Sequence, residues 1–186
     1  PCFCTRKEIA GEIERSGHAP HGPDGLLYPG ICRALSQGER EDRMGQDQPY
    51  ALRLDMAKAQ RLAGPLSWCD RVWGERRAEP ERFGDVVLAR KDVPASYHLA
   101  VTQDDHLQGV TLVTRGEDLF EASHLHRLLQ ALLGLDVPEW QHHALLMGSS
   151  GQRLAKRDRA ETIRALRERG LTAEEVRRLA QDQKNR

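Results

Sequence analysis

The sequence contains no apolar run approaching the 18 or so residues of a membrane-spanning helix. Its first twenty residues lack the hydrophobic core of a secretory signal, and the chain starts at Pro1 rather than at Met. The first two absences argue against a membrane span or a secretory signal in these 186 residues, so we expect a soluble, cytoplasmic protein without a membrane partner. The third leads us to expect a fragment or a processed product of a longer chain.

Aromatic residues are scarce at 5%, and net charge is absent because 28 Lys and Arg balance 28 Asp and Glu. A hydrophobic content of 39% with balanced charge is typical of one or two globular domains and argues against disorder. The charge is unevenly distributed, since residues 153–186 carry 11 Lys and Arg against 6 Asp and Glu. A polyanion would meet this end first, although a solvated helical surface is the simpler interpretation.

Cysteine is also rare, with four residues in the chain. Cys2 and Cys4 are separated by one residue, and without a secretory signal this spacing favours metal coordination over a disulfide framework. Together with Cys32 they could supply three of the four ligands of a tetrahedral Zn²⁺ site. The candidates for the fourth ligand are His18, His21 and Tyr28. Spacing leaves this choice open, and three buried free thiols are the alternative.

The first half of the chain contains signals for one helix and two strands. Thr5 and Glu8 form a capping-box pattern that predicts a helix over residues 6–16. Residues 17–30, rich in Gly and Pro, and the polar residues 36–49 are expected to be loops. Alternating polarity predicts strands at 50–55 and 85–90, joined by a loop-rich connection in which Cys69 packs as a small hydrophobic residue.

Residues 95–134 have the pattern of an α/β unit: a helix over 95–107, a strand over 109–114 and a helix over 117–133 closed by Gly134. The predicted apolar face of the second helix comprises Leu125, Leu128, Leu129, Leu132 and Leu133. In such folds ligands lie beyond the carboxyl ends of the strands, which places Arg115 and Gly116 at the mouth of a site. Position alone leaves open whether Arg115 is instead a surface arginine paired with a neighbouring acid.

The end of the chain is expected to hold a strand over 142–147, a glycine-rich turn over 148–152 and the basic segment 153–157. Helices over 158–169 and 173–181 follow, the second opened by a capping box of Thr172 and Glu175. A mobile turn that carries a lysine can bring positive charge to a reacting phosphate. For the histidine pairs His124/His126 and His142/His143 we expect packing alone.

The stretch YHLAVTQDDHLQGVTLVTRGEDL at 97–119, with DVVLAR before it and GQRLAKRD after it, resembles the catalytic domain of glutamyl-tRNA synthetases. PCFCTRKE and YPGIC narrow the resemblance to the glutamyl-Q tRNA(Asp) synthetase branch. The resemblance implies an α/β fold: the second half of a Rossmann-like class I catalytic domain, with an inserted zinc-binding lobe and C-terminal helices. We expect the zinc lobe at 1–49, the rest of the insertion and catalytic domain at 50–147, and the KMSKS-type loop and C-terminal helices at 148–186.

This family joins L-glutamate to ATP as an adenylate and transfers the glutamate to the queuosine base in the anticodon of tRNA(Asp). The resemblance therefore implies a monomeric ligase with ATP as substrate, accompanied by Mg²⁺, and one Zn²⁺. The alternatives are a catalytic fragment of a glutamyl-tRNA synthetase that charges tRNA(Glu) and a non-catalytic tRNA-binding paralogue. For phosphate contacts with tRNA, the candidates are Arg164, Arg167, Arg177 and Arg178.

The resemblance also assigns site residues. The implied Zn²⁺ ligands are Cys2, Cys4, Tyr28 and Cys32. Tyr97 and Arg115 would contact glutamate, and Lys156 would contact ATP. The KMSKS-type loop comprises Arg153, Leu154, Ala155, Lys156 and Arg157, with Arg153 in place of the usual Lys and Ala155 in place of the usual Ser. No HIGH-type ATP motif matches, so we expect that half of the ATP site to precede Pro1 and this chain alone to activate glutamate inefficiently.

Overall fold

The structure is a computed structural model that describes residues 1–16, 21–147 and 162–184. The helices are Arg6–Ser16 (α1), Gln37–Gly45 (α2), Met56–Ala63 (α3), Tyr97–Leu107 (α4), Ala122–Leu133 (α5), Ile163–Glu168 (α6) and Ala173–Lys184 (α7). The strands are His21–Gly22 (β1), Gly25–Leu26 (β2), Ala51–Arg53 (β3), Ser67–Asp70 (β4), Gly74–Arg77 (β5), Val87–Arg90 (β6), Leu112–Gly116 (β7) and Glu139–His143 (β8). Three 3-10 helices lie at Ile31–Ala34, Pro80–Phe83 and Glu117–Leu119.

A four-stranded sheet organises the second half of the chain, in the order β5-β4-β8-β7. Strand β8 pairs in parallel with both β4 and β7, and β5 is an antiparallel edge strand. The predicted α/β unit is confirmed, but β7 runs two residues further than expected and includes Arg115 and Gly116. Arg115 is therefore a strand residue whose register partner is His142, rather than a residue beyond the strand end.

Helix α5 covers the main apolar core, as its periodicity predicts. Its residues Leu125, Leu128 and Leu129 are buried and pack with Met56 and Phe83. The face is narrower than expected at its end, because Leu132 is only partly buried and Leu133 is 48% exposed. The helix also starts later, at residue 122, since 117–119 form a 3-10 helix first. The left-handed conformation of Gly134 (φ 66°) ends the helix, as predicted.

Capping determines the helices near the N-terminus. The box predicted for α1 is confirmed, because the backbone N–H of Glu8 donates to Thr5 Oγ1 and that of Thr5 to Glu8 Oε2. The loop expected at 36–49 is wrong: α2 lies there, capped reciprocally by Ser36 and Glu39. None of its residues is buried, which explains why the sequence shows no apolar periodicity there. Residues 21–26 also form a short hairpin where a loop was expected.

The connection between residues 55 and 85 is more regular than predicted. It contains α3, whose N-cap is Asp55, and the β4–β5 hairpin. Cys69 is exposed, so the expectation that it packs inside is wrong. Residues alternate along β4, which turns Trp68 and Asp70 inward and Cys69 outward.

Near the C-terminus, β8 lies at 139–143, three residues before its expected start. The capping box before α7 is confirmed by reciprocal bonds between Thr172 and Glu175. The predicted turn at 148–152, the basic segment 153–157 and the expected helix start at 158–161 lie outside the described residues. Among the described helices, none combines the length and apolar character needed to cross a membrane.

Candidate functional site

Arg115 occupies a polar pocket between the sheet and α5. Its Nε–H donates to His142 Nε2 at 3.1 Å, Nη1 lies 3.3 Å from His126 Nδ1, and Nη2 donates to Ser123 Oγ at 2.6 Å. Burial lowers the pKa of the Arg115 guanidinium, while Tyr97 and nearby carboxylates act in the opposite direction. The side chain is thus a held, partly buried cation rather than a surface arginine paired with an adjacent acid.

His142 is in turn held by Asp70, and both side chains are fully buried. His142 Nδ1 lies 2.6 Å from Asp70 Oδ2, and the same oxygen accepts the His142 backbone N–H at 3.1 Å. The other carboxylate oxygen accepts the backbone N–H groups of Val72 and Trp73, which fixes the turn after β4. Burial opposes ionisation, but these hydrogen bonds hold the pKa of Asp70 below its usual value.

A second branch leads from Arg115 to the hairpin near the cysteines. His126 Nε2 lies 3.0 Å from His98 Nδ1, and His98 Nε2 lies 3.0 Å from Asp24 Oδ2. Burial, with further contributions from Arg115 and His98, lowers the pKa of His126 to about 2. His126 is therefore neutral at physiological pH and can accept a hydrogen bond from the guanidinium.

Tyr97 and Arg115 were both predicted to contact glutamate, and the structure brings them together. Tyr97 is the first residue of α4, and its phenol is near enough to the Arg115 guanidinium to raise the pKa of the guanidinium. Its ring packs against the rings of His98 and His126, and 52% of the residue remains exposed. The phenol is thus accessible at the same place where the cation is held.

The N-terminal cysteines also meet. The Sγ atoms of Cys2, Cys4 and Cys32 all lie within 4.8 Å of one another, with Cys4 and Cys32 3.2 Å apart. The Oη of Tyr28 lies 3.8 Å from Cys4 Sγ and accepts the backbone N–H of Cys32 at 2.7 Å. Three thiols thus converge on one point beside the Tyr28 phenol, and thiolates are ligands that suit Zn²⁺. His21 lies outside this cluster, and His18 lies outside the described residues.

The electrostatics of the cluster point the same way. Burial and the neighbouring Cys32 raise the pKa of the Cys4 thiol to about 12, and burial also raises the pKa of the Tyr28 phenol. Burial opposes ionisation of Cys2 too, but hydrogen bonds with Tyr28 and the Cys4 backbone, together with Arg53, lower the pKa of its thiol. A divalent cation would stabilise the anionic forms of all these groups. The guanidinium of Arg53 lies 4.2 Å from the centroid of the Tyr28 ring and supports it from the other side.

A cavity of about 470 Å³ lies between the cysteine cluster and the start of α4. Tyr28 and Arg53 line it near the cysteines, and Tyr97 and His98 line it near α4. Asp24, which bonds to His98, lies on its wall as well. The cavity therefore lies between two groups of residues, Tyr28 and Arg53 beside the cysteines and Tyr97 and His98 beside Arg115.

Sequence reasoning missed most of the groups that surround Arg115. His124 Nδ1 accepts N–H groups from Trp68 and Glu79, which is a structural role. His126 and His142 are hydrogen-bonded to Arg115, and a role for them beyond packing stays a prediction. Periodicity could have found these two, since they fall on the inward positions of α5 and β8. We find no sequence signal for Asp70 and His98, which reach the site only through tertiary folding.

Lys156 and the rest of the predicted KMSKS-type loop, Arg153, Leu154, Ala155 and Arg157, lie outside the described residues. The arginines proposed to contact tRNA lie on α6 and α7 and are exposed: Arg164, Arg167, Arg177 and Arg178.

Comparison with known proteins agrees with this geometry. The family described as tRNA synthetases class I (E and Q), catalytic domain, matches residues 1–181. A glutamyl-Q tRNA(Asp) synthetase of Rhodobacter capsulatus is 45% identical over 185 residues, covering 96% of this chain and 65% of the relative. A protein of the same name from Nocardia farcinica is 42% identical over 181 residues, covering 97% and 54%. The chain thus spans between half and two thirds of the length of these relatives.

Two solved structures share the fold at a TM-score of 0.63 each. One is a glutamate-tRNA synthetase from Elizabethkingia anophelis, 28% identical, with 84% of this chain and 32% of that chain covered. The other is a glutamate tRNA ligase from Elizabethkingia meningosepticum in complex with its amino acid, 25% identical, with 91% and 33% covered.

Proposed function

We propose, because this chain belongs to the catalytic-domain family of class I tRNA synthetases (E and Q), that its protein activates L-glutamate with ATP and transfers it to queuosine in tRNA(Asp). The observation that carries this proposal is the meeting of Tyr97 and Arg115. These residues are 18 positions apart in the sequence, and both were assigned to glutamate binding by resemblance. A held guanidinium beside an accessible phenol can bind a carboxylate by charge-assisted hydrogen bonds.

The proposed tRNA substrate is taken from the names of the relatives. Eight curated relatives at 36–45% identity are named glutamyl-Q tRNA(Asp) synthetases. We therefore propose tRNA(Asp) that carries queuosine as the acceptor, and we assign phosphate contacts to the arginines of α6 and α7. Exposed arginines on consecutive helices suit the tracking of a nucleic-acid backbone.

The reaction requires no side-chain nucleophile. An oxygen of the glutamate carboxylate attacks the α-phosphorus of ATP, the bond between that phosphorus and the bridging oxygen breaks, and pyrophosphate leaves with the electron pair. Transfer to the queuosine base then releases AMP. We assign Lys156 to ATP, where its charge would stabilise the phosphates as they react, with Mg²⁺ as their counter-ion. The protein contributes positioning and electrostatic stabilisation.

We assign one Zn²⁺ to Cys2, Cys4, Tyr28 and Cys32. The support is the convergence of their side chains, which come from the N-terminus, a loop and a 3-10 helix. A structural zinc ion would hold these three segments together. Helix packing contributes little to this, because Ile13 is the only residue that α1 buries. Such an ion would hold the residue-21–28 segment, including Asp24, against the cavity.

A labelling experiment tests the proposed function. The full reading frame that encodes this chain is expressed, and the purified protein receives ATP, radiolabelled glutamate and one of three tRNAs: tRNA(Asp) with queuosine, tRNA(Asp) without it, or tRNA(Glu). We expect label on the first alone. Label on tRNA(Glu) would overturn the assignment in favour of a synthetase for protein synthesis, and no label on any would overturn catalysis altogether.

A further inference from the structure

We propose that Asp70, His142, His126 and His98 are positioning residues that aim the Arg115 guanidinium at its carboxylate substrate while leaving its positive charge unneutralised. This inference rests on the proposed function and deepens it, because it concerns the site that would hold glutamate. Its basis is a continuous chain of hydrogen bonds with Arg115 at its centre.

The first branch has only one consistent proton order. Arg115 Nε always carries a hydrogen, so His142 Nε2 must accept it. His142 Nδ1 then carries the imidazole proton and donates to Asp70 Oδ2, at a short distance of 2.6 Å. Asp70 thus selects the histidine tautomer that Arg115 requires, and both side chains are fully buried.

The second branch follows from the other end of the guanidinium. Arg115 Nη1 always carries hydrogens, so His126 Nδ1 must accept one, and the neutral His126 then donates from Nε2 to His98 Nδ1. His98 in turn donates from Nε2 to the Asp24 carboxylate. Both branches therefore end in a bare imidazole nitrogen that faces the guanidinium.

The acceptors that hold Arg115 are uncharged. The two imidazoles and the Ser123 hydroxyl fix three of its nitrogens, and none of these three bonds uses a carboxylate. A carboxylate in direct contact would fix the guanidinium equally well, but it would also neutralise the charge and compete with the substrate. Asp105 and Asp118 act on Arg115 only as nearby charges. One N–H on each terminal nitrogen lies outside these three bonds.

The main test is Asp70→Asn in the full-length protein. The amide oxygen can still accept the Val72 and Trp73 N–H groups. The NH₂ in place of Oδ2 donates to His142 Nδ1, which forces the imidazole proton onto Nε2, and it no longer accepts the His142 backbone N–H. Two N–H groups then oppose each other at Arg115. We expect the KM for glutamate to rise about tenfold or more while the KM for ATP stays within about twofold. Glu139→Gln is the matched control. Glu139 lies on the same strand as His142, and the substitution removes only its surface ion pair with Arg71.

A second pair of variants separates positioning from simple loss of packing. In His126→Asn the side-chain oxygen can replace Nδ1 as the acceptor for Arg115. In His126→Gln the amide reaches the place of Nε2 and leaves Arg115 without that acceptor. We expect the glutamate KM of His126→Asn to stay within about threefold of the parent value and that of His126→Gln to rise about tenfold. Equal effects of both variants would contradict the inference.

Histidine tautomers provide a readout that does not depend on activity. Nitrogen NMR of ¹⁵N-histidine-labelled protein should show the Nδ1–H form for His142 and its conversion to Nε2–H in Asp70→Asn. An Nε2–H form in the parent protein overturns the inference, as does an unchanged glutamate KM in Asp70→Asn. If the parent protein labels no tRNA but shows the expected tautomers, the proposed function fails and the proton order stands.

Discussion

Arg115 and His142 are register partners on the parallel strands β7 and β8, and the Nε–H of Arg115 donates to His142 Nε2 at 3.1 Å. Neighbouring parallel strands place register partners on the same face of the sheet, so the two side chains meet without a loop between them. The cation is consequently held by paired strands rather than by a loop, which is a suitable basis for binding a small carboxylate.

Substituting Arg115 by Lys should impair glutamate binding specifically. Lysine keeps the charge but lacks the planar fork, so it cannot bond to His142, His126 and Ser123 at once. We expect the KM for glutamate to rise by about 10- to 100-fold, equivalent to one or two charge-assisted hydrogen bonds. Steady-state pyrophosphate exchange at varied glutamate measures this. Arg71→Lys on the surface is the control, and an equal effect there would contradict the role of Arg115.

Removing the Tyr97 hydroxyl should raise the KM for glutamate less than the Arg115 substitution does. Because Tyr97 is 52% exposed, Tyr97→Phe should leave the melting temperature within about 2 °C of the parent value. Loss of one hydrogen bond should raise the glutamate KM about fivefold. Calorimetry and pyrophosphate exchange on the same preparation check both expectations. An unchanged KM would remove Tyr97 from the glutamate site.

Stability should fall as the pH drops below about 6.5. Burial lowers the pKa of His126 from 6.5 to about 2, so between these values the unfolded chain binds a proton that the folded chain does not. A group of this kind contributes a slope of about 1.4 kcal/mol per pH unit. The lowered pKa of His142 acts in the same direction.

His126→Asn, which cannot titrate, should flatten this slope by about 1.4 kcal/mol per pH unit between about pH 6 and pH 5. Urea unfolding at several pH values gives the free energies. Leu133→Asn, at the exposed end of the same helix, controls for the helix propensity of asparagine. A slope in His126→Asn that equals the parent slope would show that His126 takes up its proton equally in both states.

Metal content should depend on the cysteine cluster and not on Cys69. Cys4→Ser should lose most of the bound zinc and lower the melting temperature, because metal binding and folding of this segment are coupled. Cys69→Ser is the matched control, since Cys69 is exposed and lies outside the cluster. Elemental analysis of the purified proteins decides. Full zinc occupancy in Cys4→Ser would contradict the site.

Tyr28 deserves a separate variant, since resemblance rather than spacing assigned it as a ligand. Tyr28→Phe keeps the buried ring but removes the oxygen that lies 3.8 Å from Cys4 Sγ. We expect zinc to be retained but released to a chelator about 10- to 100-fold faster, because three thiolates remain. A release rate equal to that of the parent would show that the fourth ligand is another group.

Contacts with tRNA are expected on α6 and α7. Neutralising two exposed arginines of α7 by Arg177→Gln and Arg178→Gln should weaken tRNA binding and reduce the slope of log K against log salt by about 1 to 2. Adenylate formation should be unchanged. The control is Lys58→Gln with Arg61→Gln on α3, which removes the same charge from another exposed helix. Equal losses in both would indicate a general charge effect.

An element could be predicted from the sequence where its signal is local, as helix capping and apolar periodicity are. Capping and apolar periodicity predicted α1 and the core face of α5, because both act within one or two helical turns. The helix at 37–45 was missed although Ser36 and Glu39 carry the same capping signal as α1, since a helix without buried residues shows no apolar stripe. Cys69 was placed inside because its inward or outward direction depends on the register of β4, which its own sequence does not reveal.

The sequence by itself supplied the candidate groups: cysteine spacing indicated three possible metal ligands, and the family resemblance added Tyr28 to them and proposed Tyr97 and Arg115 for a carboxylate. Only the tertiary structure decided what holds Arg115. Asp70, His98, His126 and His142 come from four different elements, and they meet because the parallel pairing of β4, β8 and β7 and the packing of α4 on α5 bring them together. Local sequence encodes local hydrogen bonds, whereas a buried polar network depends on contacts between residues up to 74 positions apart.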